Sequence, residues 1–149
     1  MYKGISTLKV YITVKQIEKL VLAGSGKIIS QSPINADKIG LLISGSGDIR
    51  IDELTANRVG VMISGSGDIK IKGNSTAEFL EATVTGSGDF VSDELKFNNG
   101  NLTITGSGTI NAYIQDELDA VITGSGRIYY KGNPVIDATI TGSGKIRSH

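Results

Sequence analysis

Three aspartates recur at nearly equal intervals and are the residues best suited to chemistry. Asp48, Asp68 and Asp89 each follow directly after a Gly-Ser-Gly triplet. If successive triplets stack, the three carboxylates lie about 5 Å apart, where they repel one another and attract a hard cation such as Ca²⁺. The alternative is a solvated ladder of charges, because Arg50 and Lys70 follow two residues later on the same outward phase and can neutralise two of the aspartates. The sequence favours the charge ladder.

The same carboxylates are the candidate acids and bases for catalysis. A glycosidase needs two carboxyl groups about 5 to 9.5 Å apart across the scissile bond. A stacked column supplies that spacing, but the sequence shows neither a cleft nor a desolvating wall. The single histidine, His149, ends the chain, which argues against imidazole catalysis and a serine triad. We expect no enzymatic activity, no metal and no cofactor; the alternative is a carbohydrate-active enzyme that acts on an acidic polysaccharide.

Glycine-rich loops and outward aromatic residues suggest two further kinds of site. A phosphate-binding loop requires Gly-x-x-x-x-Gly-Lys followed by Ser or Thr, whereas isoleucine follows both Lys27 and Lys145. Nucleotide binding is therefore not expected. Tyr113 and Tyr129 fall on outward phases of adjacent repeats and would form a small platform for a sugar ring, the alternative being ordinary cross-strand packing.

The Gly-Ser-Gly triplet sets the architecture that must position these residues. It occurs seven times, at intervals of 21, 20, 21, 20, 18 and 18 residues. A period near 20 residues is typical of a stacked solenoid with one coil per repeat. We expect both glycines of each triplet to face inwards at a sharp corner, where a side chain would collide with the interior. The predicted corner residues are Gly24, Gly26, Gly45, Gly47, Gly65, Gly67, Gly86, Gly88, Gly106, Gly108, Gly124, Gly126, Gly142 and Gly144.

Apolar residues alternate with polar ones on both sides of each triplet. Apolar residues occupy the positions four and two before every triplet, and isoleucine or phenylalanine stands two positions after it. This is strand periodicity, and Asn-Gly and Gly-Asn turns leave no room for a long helix. The sequence predicts an all-β protein in which residues 1–149 form a single right-handed parallel β-helix of about seven coils, one for each triplet.

Composition excludes several classes of partner. The chain has 15 basic and 15 acidic residues and a net charge of zero, which argues against nucleic acid and against polybasic attachment to a membrane. No apolar run approaches the ~18 residues of a membrane span, and the first residues do not resemble a secretory signal. We therefore expect no membrane insertion.

The triplets and their flanks resemble a known family. Segments 44–49, 64–69 and 85–90 share the pattern Thr/Ser-Gly-Ser-Gly-Asp-Ile/Phe, and segments 128–134 and 141–146 close the chain. The pattern resembles the GIN domain family (DUF2807), also described as an auto-transporter adhesin head domain and found largely in Bacteroidetes. The resemblance implies a β-helix related in shape to pectin lyases, an extracytoplasmic or cell-surface location, a role in adhesion and no established catalytic residues.

One departure from that family bears on assembly. Its members usually begin with further strands before the segment that resembles residues 8–28, and those strands are absent here. An uncovered first coil is an open sheet edge, so we expect end-to-end self-association through the coil from Leu8 to Leu22. We expect a non-catalytic surface module that binds protein or polysaccharide through many weak contacts. The alternative is a pectin-lyase-like carbohydrate-active enzyme.

Overall fold

Every regular element of the described chain is a β-strand, which confirms the all-β class. The computed structural model describes residues 9–12, 19–30, 33–73 and 76–148. The strands are β1 (Lys9–Ile12), β2 (Lys19–Gly24), β3 (Lys27–Ser30), β4 (Ile34–Gly45), β5 (Asp48–Ile51), β6 (Leu54–Gly65), β7 (Asp68–Ile71), β8 (Thr76–Gly86), β9 (Asp89–Gly106), β10 (Thr109–Gly124), β11 (Arg127–Lys131), β12 (Val135–Gly142) and β13 (Lys145–Ser148).

The strands pair in parallel, and the triplets set the register. Ile43 is the partner of Ile63, and Gly45 is the partner of Gly65. The predicted vertical alignment of equivalent positions is confirmed, and the chain winds as a parallel β-solenoid of about six turns. The count is one below the predicted seven because seven triplet corners enclose six complete repeats.

Two stacks of strands make up the solenoid. One stack pairs in the order β1-β3-β5-β7-β9, in which β3, β5, β7 and β9 each begin directly after a triplet. The other pairs in the order β9-β8-β6-β4-β2, and each of its strands ends at the first glycine of a triplet; we call these the long strands. Strands β9 and β10 run through both stacks, and β10 continues them to β11 and β12. Each of the longest strands bends partway along its length, as described below. We call the outward surface between this bend and the following triplet the broad face.

The bend in the long strands is visible in their burial pattern. In β6, Leu54 and Ala56 are buried, Asn57 and Arg58 are both exposed, and Val59 is buried again. Two consecutive exposed residues reverse the alternation, so the strand turns a corner there. The side chain of Asn57 donates a hydrogen bond of 2.7 Å to Oδ1 of Asp37 in the neighbouring strand β4, which links the bends of the two strands.

The core consists of columns of aliphatic side chains. Ile43, Ile63, Val84 and Ile104 follow one another in register, and each is fully buried. Burial of such a side chain contributes about 1.5 to 3 kcal/mol, and repetition along the stack makes this the main stabilising term. Ser30 and Ser92 are the buried polar residues of the described chain, and the Oγ of Ser92 has no hydrogen-bond partner in the described structure.

The two glycines of a triplet serve different purposes. Gly45 has a φ of 122°, and a Cβ on it would lie 2.6 Å from the carbonyl oxygen of Gly24. A Cβ on Gly47 would lie 2.5 Å from both the Gly26 carbonyl oxygen and the Leu22 side chain. The second glycine of each triplet is buried or, at Gly144, half-buried, whereas the first is exposed or half-exposed. The second glycine thus lies nearer the interior, whereas the first combines a left-handed backbone with close approach to the neighbouring coil.

The two ends of the solenoid differ in how far their apolar residues are covered. At the last coil Ile136 is 38% exposed and Ile140 is 41% exposed, although their partners in β10 are fully buried. At the first coil Leu20 and Leu22 are buried. The coil from Leu8 to Leu22, predicted to self-associate, lies partly outside the described residues.

Candidate binding surface

The three aspartates form a column in which each carboxylate is near the next coil. Asp48 is the register partner of Asp68, which is the partner of Asp89. The backbone N–H of Asp68 donates to Oδ1 of Asp48 at 3.2 Å, and the N–H of Asp89 donates to Oδ1 of Asp68 at 3.1 Å. Two of the carboxylates therefore act as acceptors within the protein, at the point where the chain leaves the triplet corner.

The basic residues around this column differ from those expected. Nζ of Lys27 lies 3.9 Å from Oδ2 of Asp48, whereas Nε of Arg50 lies 3.0 Å from Oδ1 of Asp52. The prediction that Arg50 neutralises the column is wrong, because a closer carboxylate lies two residues further along the chain. Among the described residues, none of the ion pairs involves Lys70.

Burial perturbs the middle carboxylate. It raises the pKa of Asp68 above the ordinary value of 3.8, the N–H of Asp89 lowers the pKa in part, and the charges of Asp89 and Asp48 raise it. In the described parts of the chain, no group of three or more acidic, histidine or cysteine side chains is arranged to hold a metal ion. The charge ladder stays a prediction for these three aspartates.

The two candidate tyrosines lie on adjacent coils but are not direct partners. Tyr113 pairs with Lys96 and Lys131, whereas Tyr129 pairs with Asn111. The Lys96 ammonium lies 5.4 Å from the centre of the Tyr113 ring, and both tyrosines are half-buried. The rings are thus diagonal neighbours, one of which is already in contact with a cation, and a glycan platform at this position stays a prediction.

The broad face presents a column of hydroxyl groups directly before the triplets. The residue directly before each triplet points outwards and is exposed, and its partners in register stand on the neighbouring coils. From the second coil onwards all of these residues carry a hydroxyl group. The members of this hydroxyl column are Ser44, Ser64, Thr85, Thr105, Thr123 and Thr141.

A second feature of the broad face is a depression above two glycines outside the triplets. Gly40 and Gly60 are register partners, and the space above them has a volume of about 350 Å³. Leu42 and Met62 line one side of it. The signal in the sequence was a pair of outward-facing glycines 20 residues apart, each followed two positions later by an outward apolar residue, where the next two coils carry threonine.

The described chain contains no helix with the length and apolar character that a membrane crossing requires.

A family model, described as "Putative auto-transporter adhesin, head GIN domain" (DUF2807), matches residues 2–134. No curated protein matches the sequence. The solved structure of a putative adhesin from Parabacteroides distasonis is 25% identical with a TM-score of 0.84, and the match covers 96% of this chain and 60% of that one. A putative adhesin from Bacteroides fragilis is 27% identical with a TM-score of 0.83, covering 89% of this chain and 61% of that one.

A third similar structure carries a different description. A putative lipid binding protein from Parabacteroides distasonis is 30% identical with a TM-score of 0.85, and the match covers 95% of this chain and 56% of that one. The chain thus spans between 56% and 61% of the length of these three structures.

Proposed function

Because the chain belongs to the DUF2807 family of auto-transporter adhesin head GIN domains, we propose that it is a non-catalytic adhesive module that binds polysaccharide or protein outside the cytoplasm. An adhesin-like binding role agrees with the family and with the adhesins of similar structure. The broad face is the proposed contact surface.

The observation that carries this proposal is the hydroxyl column. Parallel strands lie about 4.8 Å apart, so the column offers one hydroxyl group at each such step along a rigid surface. Each hydrogen bond to a partner contributes only about 0.5 to 1.5 kcal/mol, but the groups are held in place by the backbone ladder and lose little freedom on binding. Such a surface suits an extended, repetitive partner.

A catalytic role has less support in the geometry. The aspartate column is the candidate source of acids and bases, and the Asp48 and Asp68 carboxylates accept backbone hydrogen bonds from the following coil. The column also stands along the outer surface, whereas a glycosidase needs two carboxyl groups that converge on a substrate from opposite sides. We expect no release of reducing ends from polygalacturonate, and measurable release would contradict the non-catalytic role.

An array of bacterial and host polysaccharides and of matrix proteins tests the adhesive role. After a partner is found, the double variant Thr105→Ala/Thr123→Ala should bind it about tenfold more weakly, since two hydrogen bonds are lost. The matched control is Thr55→Ala/Thr76→Ala, which removes two exposed threonines before the bend of the long strands. Equal binding by both double variants and the parent protein would overturn the role of the hydroxyl column.

End-to-end self-association through the Leu8 to Leu22 coil is a separate proposal. It predicts a mass that increases with protein concentration in light scattering. A constant monomer mass at high concentration would contradict it.

A further inference from the structure

Two glycines leave a shallow depression in the broad face. Gly40 in β4 and Gly60 in β6 are register partners, and the residues on both sides of each along the strand are buried, so the missing side chains would point outwards. Lys19 in β2 is the register partner of Gly40, and Glu81 in β8 is the register partner of Gly60. The depression is therefore two strands wide and has a side chain at each end.

The glycine at position 60 is not required by the backbone or by packing. Its φ is not among the positive values that the corner glycines adopt. A Cβ added to Gly60 would have the Ile39 carbonyl oxygen as its nearest neighbour, at 4.0 Å. A glycine inside a strand costs about 0.5 to 1 kcal/mol relative to alanine, and such glycines occur where a ligand approaches the backbone closely. The observation points to an external ligand.

One side wall of the depression is apolar. Val21, Leu42 and Met62 follow one another in register on the outward phase, and Val21 and Met62 are 52% and 50% exposed. The next two coils carry Thr83 and Thr103 in this column, so the apolar wall extends along the depression and stops there. Methionine adapts its shape readily to an apolar ligand.

On the other side of the two glycines lies an adjoining depression that is lined by basic residues. Lys38 and Arg58 are register partners on the other side of the two glycines, and the Arg58 guanidinium lies 5.9 Å from the centre of the Phe79 ring. Lys19 lines the depression beside Leu42 and Met62, Lys38 and Arg58 line the adjoining one, and the carboxylate of Glu81 borders both. The ion pairs found in the described residues involve none of these cations, so their charges are available to an anion.

The floor of the depression selects the kind of ligand. The backbone of β4 and β6 is engaged in the parallel ladder, so the floor offers few hydrogen-bonding groups. The face of a sugar ring that lay on this floor would find few partners for its hydroxyl groups, whereas a hydrocarbon chain needs none. An apolar site with a few charged groups is typical of small amphiphilic ligands.

From these observations we propose that the depression binds a free fatty acid, with its hydrocarbon chain over Gly40 and Gly60 and its carboxylate at Lys38 and Arg58. A bilayer surface is disfavoured as the partner because Glu81, beside Gly60, would repel anionic head groups. This small-molecule site is independent of the adhesive role proposed for the hydroxyl column.

Titration with decanoate, below its micellar concentration and followed by amide NMR, tests the proposal. We expect saturable shifts of the Gly40, Gly60 and Met62 amides, and weaker shifts with decanol, which lacks the carboxylate. The variant Gly60→Val should keep the melting temperature, since valine suits a strand, and should bind decanoate about tenfold or more weakly. The matched control Asn101→Val, in the same column two strands away, should bind as the parent does.

Several results would overturn the proposal. Unchanged decanoate binding by Gly60→Val, shifts scattered over the whole molecule, or equal binding of decanol and decanoate would each contradict it. So would shifts of the same amides by galacturonate, or by vesicles containing anionic phospholipid, in the absence of a response to decanoate. If Gly60→Val does not fold, Met62→Thr replaces it, because threonine occupies this column at Thr83.

Discussion

The backbone N–H of Asp89 donates a 3.1 Å hydrogen bond to Oδ1 of Asp68, one coil below it. The acceptor is a carboxylate whose pKa is raised, mainly by burial, so a partly desolvated charge lies within a column of like charges. The hydrogen bond joins successive coils, while the negative charge opposes the stacking that the bond supports. This combination makes Asp68 a sensitive point for the pH dependence of stability.

Asp68→Asn should increase stability at neutral pH and have no effect in acid. The pKa of Asp68 is higher in the folded than in the unfolded chain, so its contribution to stability is present below the ordinary value of 3.8 and is lost as the pH rises through the folded pKa. Asparagine keeps the acceptor oxygen without the charge. The melting temperatures of Asp68→Asn and of the parent protein, measured between about pH 3 and pH 8, should diverge as the pH rises, and a constant difference over this range would contradict the prediction.

Two glycine-to-alanine substitutions should have opposite effects. In Gly67→Ala the new methyl group would meet the Gly47 carbonyl oxygen and lie 2.6 Å from Cγ2 of Ile43, so we expect a loss of about 3 kcal/mol or more. In Gly60→Ala the methyl group enters open space, and we expect a gain of about 0.5 to 1 kcal/mol. Denaturant unfolding of the two variants measures the difference, and equal losses would contradict the distinction between corner and surface glycines.

The fold was predictable because its main determinant is a regular repeat along the sequence. Alternation around each triplet identifies which residues face the core, and a constant period places Ile43 next to Ile63 without any knowledge of the remaining structure. Corner glycines follow from the same repetition. These features depend on local sequence and on the period alone, so no long-range information was needed.

The candidate surface was less predictable because it depends on distances between side chains on different coils. The choice of Arg50 between Asp48 and Asp52 is decided by side-chain geometry, which the period does not specify. The depression at Gly60 depends on the space that side chains of the surrounding coils leave unfilled. The repeat also predicts the same environment for Ile122 and Ile140. Ile140, however, lies in the last coil of the stack and is partly exposed, whereas Ile122 is fully buried.

Equivalent isoleucines should therefore differ in their contribution to stability. Ile122 and Ile140 are register partners, but Ile122 is fully buried and Ile140 is 41% exposed. Ile122→Ala should cost about 2 to 5 kcal/mol through the cavity that it leaves, whereas Ile140→Ala should cost less than about 1 kcal/mol. Chemical denaturation provides both values, and a large loss for Ile140→Ala would show that this end of the stack is covered in solution.

Ser92→Ala should stabilise the protein. The serine Oγ is buried beside the core and has no hydrogen-bond partner in the described structure, so folding removes it from water without compensation. Removing the hydroxyl group should increase the free energy of unfolding by about 1 kcal/mol or more, because an unsatisfied buried group costs about 1 to 3 kcal/mol. Ser44→Ala is the control, since its exposed hydroxyl group remains hydrated and the change should stay within about 0.5 kcal/mol. A loss of stability in Ser92→Ala would mean that the hydroxyl group has a partner, such as a buried water molecule, that holds this part of the core together.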